Sequence, residues 1–262
     1  MKNYLLILFF LFLFCPVQAQ IFTGGVTKVG QNESNRVIDN DTKQGVEFAK
    51  ISMPQIKFHT YTDQNGNFEL PKIQINRPTI LNVEKEGYRP FSLTINNGRS
   101  LNNPMKISIA HSSPMDITLN SEILHLGDNS FSKNSANAAQ FKVQAFGPSY
   151  SKNFIMTDNA KHSTNYIIFG SVVGLDTKLA HSLGQNNIRS GAFSSPAKVY
   201  FNGQKIGELN INGDSERIKI PNSLIKADAA NQITIKTGEN VLQTNHIDYD
   251  DIEIMNISIL SE

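Results

Sequence analysis

The chain has 262 residues, with 24 Lys and Arg against 23 Asp and Glu, a formal net charge of +1, and no tryptophan. A balance this even, without a basic block, excludes nucleic acid and anionic lipid as the main partner, because clustered cationic charge is what holds both. The length allows one or two domains of ~100–200 residues, each large enough for its own core.

Lys2 opens the chain with a positive charge, and Tyr4 to Phe14 is an uninterrupted apolar stretch. Pro16 breaks it, and Val17-Gln18-Ala19 supplies the small residues that signal peptidase needs. Residues 1–19 therefore read as a secretory signal peptide, too short for a membrane anchor. Phe14 is bulky where lipobox cleavage takes a small residue, which argues against lipidation of Cys15. Cleavage would remove Cys15, the sole cysteine, and leave an exported chain with no disulfide. Such a chain suits a bacterial envelope, as a periplasmic, cell-surface or extracellular protein, better than a disulfide-rich animal secretion. No later apolar run is long enough to make a transmembrane segment.

The remainder is strand-like almost throughout: short segments rich in Ile, Val, Phe and Thr, punctuated by Gly, Asn, Asp and Pro. Helical periodicity is absent apart from a single turn expected at 222–226 and a weak one at 136–140. Residues 20–110 form a first domain. Ile56, Phe58 and Thr60 alternate with Lys57, His59 and Tyr61, and Asn65-Gly66 then suits a tight hairpin before Phe68 and Leu70 resume the apolar face. Leu81 and Val83, then Phe91, Leu93 and Ile95, make the following strands.

Gly45-Val46 with Ala49, Thr62-Asp63 with Gly66 and Phe68, and Gly87-Tyr88 occur in an order that resembles the carboxypeptidase regulatory-like family. That resemblance implies a transthyretin-like β-sandwich of accessory type with no active site of its own. The polar segment from Gly24 to Thr42 departs from the family's opening strand and turn.

Residues 111–114, His-Ser-Ser-Pro, read as a linker. Residues 115–262 form the second domain. Ala197, Val199 and Phe201 alternate with Lys198 and Tyr200, Asn202-Gly203 turns the chain, and Ile218, Ile220, Ile233 and Ile235 continue the pattern. Ile252 and Ile254 have one parity and Ile257 and Ile259 the other, so a β-bulge is expected near Met255-Asn256. The Val-Tyr-Phe-Asn-Gly hairpin, the Ile-Pro-x-x-Leu segment and the acidic final strand are similar to galactose-binding-like jelly rolls, which implies a carbohydrate-binding or adhesive module. The fold class is therefore all-β, a small transthyretin-like sandwich followed by a jelly-roll sandwich.

Asp248, Asp250, Asp251 and Glu253 gather acid at the last strand, and Asp128 lies at the start of the same domain. Asp128, Asp250 and Asp248 are the candidate metal ligands. Carboxylates converging with loop carbonyls suit Ca²⁺, while an acidic strand end and an Asx turn at Asp128 explain the same residues without it. His125 and His246 have no zinc-ligand spacing. Tyr200, Tyr166 and Tyr150 are the aromatic candidates for stacking on a sugar, although tyrosines also fill cores and cover edges. The mature chain holds no cysteine nucleophile and no G-x-S-x-G elbow. The expected function is non-catalytic: binding or adhesion, with a glycan or an envelope protein as partner. The alternatives are a structural subunit joined through edge strands and an unrecognised hydrolase.

Overall fold

A computed structural model describes residues 23–30, 33–96, 101, 104–132, 134–136, 141–185 and 192–262. The expected signal peptide with Cys15, and residues 137–140 of the weak turn, lie outside them.

Eight strands build the first unit: β1 Gly24–Lys28, β2 Asn35–Asp39, β3 Lys50–Met53, β4 Phe58–Tyr61, β5 Asn67–Phe68, β6 Thr79–Glu84, β7 Phe91–Ile95 and β8 Met105–Ile109. They form two sheets, β1-β8-β2-β5 and β4-β3-β6-β7. Val37, Phe68, Ile107 and Ile109 of one sheet meet Ile51, Met53, Leu81 and Val83 of the other in a closed apolar core. Asp63 shapes the turn after β4, its Oδ1 accepting from the amides of Asn65 and Asn67 at 2.8 Å each. Gly66 sits there at φ +80°, where a Cβ would lie 2.2 Å from the Val37 carbonyl oxygen. The expected hairpin is corrected, however. β5 pairs with β2 in the opposite sheet, so the turn carries the chain across the core instead of folding it back on β4.

The second unit contains β9 Ile117–Asn120, β10 Leu124–Leu126, β11 Ser149–Ile155, β12 Asn165–Val173, β13 Ala197–Phe201, β14 Gln204–Leu209, β15 Gly213–Ile220, β16 Ala230–Lys236 and β17 Ile252–Ser261. One sheet runs β10-β17-β12-β15 with β9 also on β17, and the other runs β11-β16-β13-β14. Phe169, Ile167, Ile254 and Ile257 from the first pack against Val199, Phe201, Ile233 and Ile235 from the second. Asn202 and Gly203, at φ +49° and +82°, turn β13 into β14 as their sequence requires. A short 3-10 turn forms at Asn222–Leu224. The five-residue helix α1, Lys178–Ser182, is unanticipated; the Thr177 side chain caps it by accepting from the Ala180 amide at 3.0 Å.

All ten residues of β17 are buried. Ile252, Ile254, Ile257 and Ile259 reach the same core despite their change of parity. The reversal occurs at Asn256, which has φ +58°. The expected bulge is corrected in kind. The β17–β12 register is unbroken, because β12 reverses at the same level, at Gly170, and Ser215 of β15 on the far side also has φ +58°. A register shift does occur against β9, between Ile257 and Ser258.

The other face of β17 and β12 meets the first unit. Ile80, Val173 and Met255 form a small apolar cluster there. Polar pairs surround it: Gln55 donates to Glu253, Asn256 donates to Asn82, and the hydroxyls of Ser171 and Ser92 are 3.0 Å apart. The two sandwiches thus stack through a seam of buried hydrogen bonds. Among the described residues no helix is long and apolar enough to cross a membrane.

Candidate functional site

The acidic run around the start of β17 is folded inward. Asp248, Asp250, Asp251 and Glu253 are all buried. Consecutive residues on an extended chain point to opposite sides, so the four carboxylates divide. Asp251 Oδ1 receives His125 Nε2 at 2.9 Å and the Asn129 amide at 2.9 Å. His125 donates its other ring nitrogen to the Val143 carbonyl. Burial alone would lower the imidazole's pKa, yet the bonds to Asp251 and Val143 and the charges of Asp251 and Glu253 hold it above the ordinary value. His125 and Asp251 thus form a buried hydrogen-bonded pair.

The three candidate metal ligands do not share a cavity. Asp128 is exposed and makes the Asx turn, its Oδ1 accepting from the Ser130 amide at 2.8 Å and its Oδ2 from the Tyr249 amide at 3.1 Å. Asp248 Oδ2 accepts from the Ala136 amide and from Asn240 Nδ2, at 2.9 and 3.0 Å. Asp250 turns away from both, towards Ser194 and the Asp176 amide. His246 is exposed.

The tyrosines are equally separated. Tyr150, on β11, stands opposite Ile235 by way of β16, packs against the core and meets Phe146 edge-on. Tyr200 lies on the outer face of the same sheet with the Lys236 ammonium 5.5 Å above its ring. Tyr166 belongs to the other sheet, under the guanidinium of Arg217 at 5.5 Å. All three are half-buried, and they build no common platform.

A groove that sequence reasoning missed lies where the two sandwiches meet. It has a volume of ≈ 490 Å³, and its walls include Phe48, Lys50, Glu84, Tyr88, Thr118 and Ser121. Phe48 is 63 % exposed and held at φ +50°, a backbone region unfavourable for a bulky side chain. Its amide donates to the Thr62 carbonyl at 3.1 Å, and buried Val46 and Ala49 on either side anchor the chain. Lys50 and Glu84, both lining the groove, pair at 3.5 Å.

Tyr88 connects this groove to a polar cluster. Its hydroxyl donates to Asp39 Oδ2 at 2.8 Å, and its ring stacks on His111 with centroids 4.3 Å apart. His111 Nε2 is 2.7 Å from the same Asp39 oxygen. Asp39 Oδ1 accepts from the amides of Asp41 and Thr42 and from the Thr42 hydroxyl. Burial would raise the Asp39 pKa, but these donors and Tyr88 outweigh it and hold the value at about 2. Tyr88 is pushed up to about 12 by burial, by its bond to Asp39 and by the charges of Asp39 and Asp41. Ligand atoms of Asp39, Asp41 and His111 lie within 4.8 Å of one another. Every Asp39 contact named above is a protein hydrogen-bond donor, so the cluster works as a brace behind Tyr88. His111, expected in a linker, is thereby tied to the first sandwich, and the Ser112 amide donates to the Gly87 carbonyl beside it.

Residues 34–117 match the CarboxypepD_reg-like domain. The match runs from just before β2 to the first residue of β9, and it contains Phe48, Tyr88 and the whole Asp39 brace. The CarboxypepD_reg-like domain thus carries most of the groove wall, while Thr118 and Ser121 follow it directly. No curated protein matches the chain significantly.

Proposed function

We propose that the protein is a non-catalytic, exported binding protein of a bacterial envelope that grips a glycan along the groove at Phe48 and Tyr88. The observation that carries this reading is Phe48 itself. A large apolar ring that is 63 % exposed, on a backbone conformation that costs roughly 1–2 kcal/mol, is placed where a ligand can reach it. Aromatic faces pack against the apolar faces of pyranose rings, and Lys50, Glu84, Lys85 and Glu86 offer hydrogen bonds of both polarities to hydroxyls. The domain type, often found in surface proteins, fits an exported role, as does the expected signal peptide. A galactose-binding-like second sandwich would serve in this arrangement as the support that completes the groove.

The test is a glycan array combined with capture from envelope extract, using the mature chain and its Phe48→Ala variant. Binding is expected for the natural chain and a loss of at least about tenfold for the variant, with unchanged thermal stability. Silence in both assays, or equal binding by the two proteins, overturns the reading.

A second reading has one specific observation behind it. β11 is a seven-residue edge strand with Ile155 64 % exposed, and such an edge can template another chain. Lys152 at its centre is the charge that guards edges against pairing, which is why the groove is preferred.

A further inference from the structure

We propose that the outer face of the β11-β16-β13-β14 sheet binds an acidic polysaccharide through Lys198, Lys236 and Tyr200. Val199, Phe201, Ile233 and Ile235 fill the core of the second sandwich, so the residues alternating with them on β13 and β16 face outward. Two rows cross this outer face. In one, Lys198 stands directly opposite Lys236. In the next, Ser151, Thr234 and Tyr200 lie side by side on β11, β16 and β13, and the hydroxyls of Ser151 and Thr234 are 2.8 Å apart.

Like charges directly opposite each other on neighbouring strands destabilise a sheet, so the Lys198–Lys236 pair is a cost to the fold. Glu208 lies opposite Lys198 on β14, but its carboxylate is paired with Lys205. Among the described residues neither Lys198 nor Lys236 has a carboxylate partner. The Lys236 ammonium stands instead 5.5 Å from the centre of the Tyr200 ring.

Two unpaired cations beside an aromatic ring complement an anion carried on a flat frame with an apolar face. A sugar ring bearing a carboxylate is such a frame: its face lies on Tyr200 and its carboxylate meets the two ammonium groups. Beside them, Ser151 and Thr234 offer hydroxyls to the next sugar, and Gln232, which donates to Asn153 at 3.0 Å, continues the polar surface. These hydroxyls and amides stand where the continuous phosphate line of a nucleic acid would need further cations. The site takes no residue from the groove at Phe48 and is independent of it.

The test is affinity electrophoresis of the mature full chain through gels that hold polygalacturonate, its methyl ester or single-stranded DNA. The ester keeps the sugar and removes the charge. Retardation is expected with polygalacturonate, weakening as salt rises, and little is expected with the ester. Lys198→Gln and Lys236→Gln should each weaken binding about three- to fivefold, the worth of an exposed charge pair. Tyr200→Ala should weaken it about fivefold. Lys219→Gln makes the same change of charge on β15, in the other sheet, and should leave binding as it is. The Tm of Lys198→Gln should equal or exceed that of the natural chain, because the like-charge pair is relieved. No retardation by polygalacturonate, equal retardation by its ester or by DNA, or undiminished binding by both Lys198→Gln and Lys236→Gln overturns the proposal. Should the variants not fold, the comparison of polygalacturonate with its ester and with DNA decides on the natural chain.

Discussion

Asn256 donates its side-chain amide to Asn82 Oδ1 at 2.7 Å, joining the last strand of one sandwich to an interior strand of the other. The same residue holds the left-handed conformation that lets Ile254 and Ile257 enter one core. Asparagine meets both demands: it tolerates positive φ better than most residues, and it carries an amide for the seam. Asn256→Gly keeps the backbone and loses the bond, so it should cost about 1–3 kcal/mol. Asn256→Val loses the bond and forces a β-branched residue into the left-handed region, which should add about 1–2 kcal/mol. Urea unfolding of the two variants, compared with the natural chain, checks the order.

Opposite Asn256, Gly170 lets the sandwiches approach. A Cβ there would lie 2.5 Å from Ser92 Oγ and 2.8 Å from Asn256 Cβ. Gly170→Ala should therefore destabilise by about 1–3 kcal/mol through overpacking. Ser92→Ala removes the nearer obstacle, so the double variant should be more stable than the sum of the two single changes implies. A double-mutant cycle with a coupling of about 0.5 kcal/mol or more is the expected result; strict additivity would mean that the seam does not close on Gly170.

The alternating segments made the strands legible because period two and β-branched residues are local signals. Partner choice is not local. Nothing within Asp63–Phe68 says that β5 joins β2 across the core, since that pairing is set by the closure of both sheets. The parity change in β17 was visible, but its cause was not, because it required Gly170 and Ser215, far away in sequence, to reverse at the same level. At the site, the acidic run was conspicuous, yet its division between His125, Ala136 and Ser194 depends on loops that carry no spacing signal. Phe48 passed as an ordinary apolar residue, since exposure and φ are properties of the folded chain alone.

The Asp39–Tyr88 pair makes the first sandwich pH-sensitive at both extremes. Asp39 is depressed from 3.8 to about 2, so its contribution is present above 3.8 and is lost as pH falls through about 2. Tyr88 is raised from 10.0 to about 12, so its contribution is present below 10.0 and is lost as pH rises through about 12. In a phenolate absorbance titration Tyr88 should ionise last, after Tyr150, which burial also raises, and Tyr88→Phe should abolish the step at about 12. Asp39→Asn should bring it closer to 10, because it removes a negative charge and weakens the acceptor. A titration unchanged by Asp39→Asn would refute the coupling.

Glu253 places an acid in the seam at a cost. Burial raises its pKa, and the Gln55 bond and the charges of His125 and Arg77 only partly oppose this. The raised value means that its contribution is fully present below 4.5 and declines as pH rises through the folded value. Its Oε1 has no hydrogen-bond partner, so the ionised form gains little there. Glu253→Gln keeps an acceptor for Gln55 and removes the ionisation. It should stabilise by about 1 kcal/mol at pH 8 and by almost nothing at pH 4. Chemical denaturation at the two pH values measures the difference, and an equal effect at both would show that burial does not raise the Glu253 carboxyl.

Phe48 allows stability and binding to be moved in opposite directions. Glycine adopts φ +50° freely, so Phe48→Gly relieves roughly 1 kcal/mol of backbone strain. The ring is 63 % exposed, so its removal forfeits little burial. The larger conformational freedom of glycine in the unfolded chain offsets part of the gain. The net expectation is a stability equal to or slightly above that of the natural chain, by thermal unfolding, together with loss of glycan capture. Phe48→Leu retains apolar surface but not a flat ring and should bind weakly without becoming more stable. If Phe48→Gly instead unfolded the CarboxypepD_reg-like domain, the ring would be a structural anchor, and the groove would lose its claim to be the site.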